Sequence, residues 1–173
     1  MVDRRSEVPT WAYINAQILQ EARATGILVP AIARGENSYG LAPGSLNLEN
    51  SAFRLSLLYC LIVVPKELWL NSATLPASLA MVESQPILGL FSVEVKPPEF
   101  DGNPLQILLR RLRNSISHVR FSIGDDNRLA FWDQRNDNAP VNFRASISLP
   151  DLMRFLSTIG PALANLRHVH GGV

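Results

Sequence analysis

Between Leu105 and Val119 apolar residues recur at spacings of three and four: Leu105, Leu108, Leu109, Leu112, Ile116 and Val119. At about 100° per residue these positions form one stripe, the signature of a helix buried along one face. Asn103 stands where an N-cap belongs. Pro104 suits the first helical position, where a backbone N–H has no intrahelical partner. The segment predicts a helix docked by its leucines, with its polar residues displayed on the remaining circumference.

Helical patterns also dominate the first half of the chain. Trp11 to Ala24 reads as an amphipathic helix with Thr10 as cap and Gly26 as stop. Ala33 to Leu46 is rich in Gly, Ser, Asn and Pro and reads as a loop. Leu48 to Val64 starts polar and becomes apolar nearly all round, as a central buried helix does, and Pro65 should end or kink it. Leu75 to Val82 reads as a short helix, Gln85 to Val95 fits helix or strand, and Lys96-Pro97-Pro98 breaks what precedes it.

After Val119 the period changes to two. Phe121 and Ile123 begin a strand, Gly124 to Asn127 turns it, and Leu129 and Phe131 share one face of the return. Arg135 to Pro140 is a second turn. Val141, Phe143, Ala145 and Ile147 then alternate with Asn142, Arg144, Ser146 and Ser148. Ser148 should cap a last helix, with Asp151 three residues on and Leu152, Phe155, Leu156 and Ile159 as its apolar face; Gly160-Pro161 should interrupt it. The expected architecture is mainly α, with a small antiparallel β-meander at about residues 120–148 before the last helix, in a single domain spanning 1–173.

Bulk properties exclude several classes. A chain of 173 residues with 47% hydrophobic and 18% charged residues can bury a sizeable core. Its net charge of +1 gives no global field for nucleic acid, so any such affinity must come from local clustering. The apolar run ending at Pro65 falls short of the roughly 20 residues a bilayer crossing needs. The lone Cys60 and the charged segment Met1 to Glu7 point to a cytoplasmic setting without disulfides. His168 and His170 lack a Cys, Asp or Glu nearby to complete a metal set, so no metal or cofactor is expected.

The hexapeptide Arg113-Asn114-Ser115-Ile116-Ser117-His118 lies on the leucine helix. Asn114 and His118, four apart, are neighbours on its outer face. Arg113 and His118 flank that face about 140° apart, so they share a site only if Arg113 reaches across or a second copy contributes. The residue types suit metal-free cleavage of an RNA phosphodiester. Imidazole exchanges protons near neutral pH. Guanidinium is always charged and matches phosphoryl oxygens with two parallel hydrogen bonds. An amide such as Asn114 orients either. Arg110, Arg111, Arg113 and Arg120 form a basic strip with no acidic residue between Asp101 and Asp125, suited to a phosphate backbone or simply to a solvated face.

With these residues in view, the chain resembles the HEPN family, defined by a helical core and an Arg-(four to six residues)-His motif. Arg113 and His118 fit with four intervening residues, and Asn114 is the family's usual polar choice after the arginine. It resembles in particular a bacterial subfamily in which an Arg-Asn-x-x-x-His helix precedes a strand containing Phe-Trp-Asp, here Phe131-Trp132-Asp133, and then a strand like Asn142 to Ile147. The clearest resemblance covers residues 98–160; residues 1–97 match only as a helical, apolar region.

The resemblance implies a metal-independent endoribonuclease working at a homodimer cleft, in toxin–antitoxin, phage-defence or RNA-processing settings, with RNA and an antitoxin protein as partners. Arg113, Asn114 and His118 are the catalytic candidates, and Arg110, Ser117 and Arg120 the RNA-binding ones. The alternative is an inactive HEPN protein that binds RNA or a protein partner. Trp132 fits base stacking less well than packing on a helix, and Arg135 and Arg144 are weaker RNA contacts.

Overall fold

The computed structural model describes residues 8–47, 50–64, 82, 84–124 and 126–164. Its first helix, α1 (Val8–Ala24), begins earlier than Trp11 because Pro9 is a good starter, so Thr10 lies inside it rather than capping it. Gly26 follows at φ 73°, the left-handed conformation that stops a helix cheaply.

The expected loop from Ala33 is a correction: its first part is helical. Pro30 sits in the opening turn of α2 (Val29–Ser38). The nearly buried Glu36 accepts the Leu46 N–H at 2.9 Å and folds the following loop back onto the helix. The peptide N–H groups of Leu46 and Gly44 hold the Glu36 carboxyl below the usual carboxylate range.

The central helix is α3 (Ser51–Leu58), which continues as one π-helical turn, Tyr59–Val63. Asn50 caps it by accepting the Phe53 N–H at 3.0 Å. Leu57, Leu58, Leu61, Ile62 and Val63 are buried, as an apolar stretch of this kind requires. Pro65 and the expected helix 75–82 lie outside the described residues apart from Val82.

The ambiguous stretch 85–95 splits into a short helix, α4 (Ser84–Leu88), and a strand, β1 (Phe91–Val95). Helix α5 (Pro104–Ser117) carries the leucine stripe. Leu105, Leu108, Leu109, Leu112 and Ile116 are all buried, but Val119 is not, being 74% exposed beyond the helix end. Asn103 stands at the N-cap but spends its side chain on Gln106 (2.6 Å) rather than on a helix N–H.

Strands β2 (Phe121–Ile123), β3 (Arg128–Asp133) and β4 (Phe143–Ser148) follow. β1 joins them to give one four-stranded antiparallel sheet in the order β1-β4-β3-β2, one strand wider than the expected meander. Leu129 faces Ile147, Phe131 faces Ala145 and Asp133 faces Phe143 across β3 and β4. Alternation puts all six of these residues on the buried face.

The last helix, α6 (Leu149–Ala164), starts where expected: Ser148 Oγ accepts the Asp151 N–H at 3.1 Å and donates to the Asp151 carboxylate at 2.7 Å. Gly160-Pro161 does not interrupt it. Gly160 instead admits the Tyr13 ring of α1, which a Cβ there would overlap. α1 and α3 pack on α6, while α5 and α6 cover the sheet's inner face at β3 and β4. Phe131, Phe143 and Phe155 are fully buried at that junction, and Phe91 meets Phe155 edge-to-face at 5.1 Å. Among the described residues no helix is long and apolar enough to cross a membrane.

Candidate active site at the end of α5

Helix α5 stops immediately before His118, which is its C-cap. Val119 then takes φ 55°, and the chain reverses into β2. The Val119 N–H bonds the Ile116 carbonyl (3.1 Å) and the Arg120 N–H bonds the Ser115 carbonyl (2.7 Å). These two bonds are the Schellman pattern, normally closed by glycine. His118 is therefore exposed at a helix end rather than on a continuing helix face, and Ser117 is exposed beside it.

The turn aims His118 at a cavity of about 380 Å³ lined by Arg111, Asn114, His118, Asp133, Gln134, Arg135 and Asn142. Asn114 and His118, four apart in sequence, thus share one wall. Arg113 is half-buried and does not line the cavity; its Nη1 donates to Asn114 Oδ1 at 3.0 Å. The amide couples the guanidinium to the cavity wall.

Asp133, at the end of β3, is the hub beneath this wall. Its side chain is 6% exposed. Oδ2 accepts from Arg111 Nη1 at 2.8 Å and from Asn114 Nδ2 at 3.0 Å, and Oδ1 lies 3.7 Å from Arg120 Nη1. Ser115, also buried, directs its hydroxyl at the carbonyls of Arg111 and Trp132, both 2.8 Å away. The motif is therefore bolted to the last two residues of β3.

The basic strip is not surrounded by neutral space. Arg110 pairs with Glu99 at 2.6 Å, and Arg111 with the same carboxylate at 2.7 Å. Arg120 pairs with Asp137 at 3.0 Å and donates to the Gln134 carbonyl. The absence of acids between Asp101 and Asp125 was a local property; folding brings acids from outside that window. Glu99 is held below the usual carboxylate range, first by its own backbone N–H and then by Arg111. The exposed Arg110–Glu99 pair contributes about 0–1 kcal/mol, whereas removing one partner of a buried pair such as Arg111–Asp133 costs about 3–5 kcal/mol.

Among the weaker candidates, Arg135 is exposed on the cavity rim, and Arg144 is exposed on β4 opposite the half-buried Trp132. Cys60 is half-buried, and burial pushes its thiol up, away from reactivity. His168 and His170 lie outside the described residues. Sequence reasoning names Asp133 only within the Phe131-Trp132-Asp133 resemblance and gives it no role at the site. Asp133 shares the parity of Leu129 and Phe131, and a carboxylate at an apolar strand position signals a buried cation opposite.

A mainly helical body with a small antiparallel sheet, carrying Arg-x4-His at a helix end, has the form of a HEPN domain. A family model described as HEPN pEK499 p136 matches residues 10–167, and the chain belongs to that family. The match extends well beyond 98–160, into the first half of the chain, which resembled the family only as a helical, apolar region. No curated protein and no solved structure matches the chain. HEPN membership suggests a nuclease or other RNA-related role.

Proposed function

We propose that the protein is a metal-independent endoribonuclease acting through Arg113, Asn114 and His118. The observation that carries this reading is the cavity wall shared by His118 and Asn114, with the Arg113 guanidinium bonded to that same amide. His118 is solvent-accessible, as a proton carrier must be.

In the reaction a base takes the 2′-hydroxyl proton, the 2′-oxygen attacks phosphorus, and the P–O5′ bond breaks as the leaving oxygen gains a proton. The products are a 2′,3′-cyclic phosphate and a 5′-hydroxyl. Arg113 stabilises charge growing on the phosphoryl oxygens. One protomer offers His118 for one proton transfer, and a homodimer brings the partner's His118 for the other. Arg110, Ser117 and Arg120 flank this centre as RNA contacts; Arg110 and Arg120 engage phosphate by exchanging it against Glu99 and Asp137. The setting proposed is cytoplasmic and bacterial, as a toxin held by an antitoxin or in phage defence.

The test is incubation of short single-stranded and structured RNAs with the protein and with His118→Ala in EDTA. The parent should cut, and the variant should lose about 10²–10⁴-fold in rate, the usual value of general acid–base catalysis. Equal rates would remove His118 from the mechanism, and strong inhibition by EDTA would remove the metal-free scheme. One observation favours a second reading, a non-catalytic protein-interaction module: Arg110, Arg111 and Arg120 are already paired with carboxylates of the same chain. RNA left intact, with no salt-dependent RNA binding, would decide for it.

A further inference from the structure

We propose that Asp133 is a positioning residue of this site: its buried carboxylate fixes the Asn114 amide in one orientation, and through it the Arg113 guanidinium. The inference rests on the reading of Arg113 as the phosphate-binding group.

Hydrogen-bond donors and acceptors decide the geometry at this point. An ionised carboxylate only accepts hydrogen bonds, and a guanidinium only donates them. Asn114 stands between the two. Its Nδ2 donates to Asp133 Oδ2 (3.0 Å), and its Oδ1 accepts from Arg113 Nη1 (3.0 Å). A flipped amide would set oxygen against carboxylate and NH2 against guanidinium, losing both bonds. The orientation is thus dictated by the chemistry at each end.

Asp133 is itself held from both sides of the motif. Arg111, two residues before Arg113, and Arg120, two residues after His118, both reach it. Its backbone is fixed as well, since its carbonyl accepts the Asn142 N–H at 3.0 Å and its register opposite Phe143 in β4 sets its height. A rigid sheet residue therefore sets where a helix side chain points. This matters for catalysis because a displacement of about 1 Å in a positioned group can cost about 100-fold in rate.

Asp133→Asn keeps the shape but supplies an NH2 that can face Asn114 Oδ1, which permits the flip. Asn114→Ala removes the link between Asp133 and Arg113 and leaves the Asp133–Arg111 and Asp133–Arg120 pairs in place. Each variant is made in the parent and in Arg113→Ala, and each is checked for folding by circular dichroism. Cleavage rate is measured on a short single-stranded RNA, and affinity for the same RNA in a His118→Ala background.

We expect each variant to lower kcat/KM about 10- to 100-fold and to weaken RNA binding in the His118→Ala background, and to have almost no further effect on either once Arg113 is Ala. A purely structural role would give the same factor in both backgrounds. Equal losses with and without Arg113, or no loss in the parent, overturn the inference while leaving the ribonuclease reading intact. If the parent does not cut RNA, that reading fails separately. The affinity cycle then decides: Arg113-dependent weakening by both variants supports the relay, and additive effects or absent binding overturn it.

Discussion

Val119→Gly should make this protein more stable, against the usual expectation for replacing an aliphatic residue with glycine. Val119 occupies the left-handed position that closes α5, at φ 55°, with its side chain 74% exposed. That backbone conformation costs an L-residue roughly 1–2 kcal/mol, and a β-branched side chain is among the worst suited to it. Glycine adopts it freely, but its unfolded chain carries extra entropy worth about 0.5–1 kcal/mol.

The exposed valine side chain forfeits little burial when removed. The net is a gain of about 0.5–1 kcal/mol, or roughly 1–4 °C in Tm for a chain of this size. The two closing bonds, Val119 N–H to Ile116 O and Arg120 N–H to Ser115 O, use backbone only and survive the change. Thermal unfolding followed by circular dichroism, with urea titration as a check, reads the difference. Had Val119 been buried on the leucine stripe, the same substitution would cost about 1.5–3 kcal/mol from lost burial alone. A fall in Tm refutes the left-handed cap and restores the helix to Val119.

Gly160→Ala should destabilise by about 1–2 kcal/mol, because the overlap with Tyr13 outweighs alanine's advantage of roughly 1 kcal/mol in helix propensity. Urea titration checks it, and a variant as stable as the parent would mean that α1 yields at no cost. Acid should also weaken the fold. Glu36, Glu99 and Asp151 are all held below their ordinary values. Their contribution is complete above the unfolded carboxylate range and is lost as pH falls through the lower folded values. Tm should therefore hold between pH 7 and about pH 5 and drop below that, with a smaller drop in Glu36→Gln; an unchanged acid profile in that variant would count against the Leu46 contact.

Much of the scaffold was legible because it is written at short range. The stripe Leu105 to Ile116 reports a helix through its own spacing, and Phe143, Ala145 and Ile147 report a half-buried strand in the same way. Ser148 and Asp151 announced the start of α6 because capping is settled within four residues. The motif itself was visible for that reason too. Local composition misled where distant contacts override it: the Gly-, Ser- and Asn-rich segment after Ala33 is helical to Ser38, and Gly160-Pro161 continues α6 by accommodating a ring from α1.

The amino-acid order by itself determined the helix that bears Arg113 and His118, the strands that follow it and the residue types available for chemistry. Only the tertiary structure decided which of those groups meet. It ended α5 at Ser117, turned His118 into a cavity, and recruited β1 as a fourth strand. It set Asp133 under Asn114, and it neutralised Arg110, Arg111 and Arg120 with acids from outside the motif. The physical reason is range: spacing along the chain fixes which face of an element is apolar, whereas the partner of a charge or an amide is fixed only when separate elements pack.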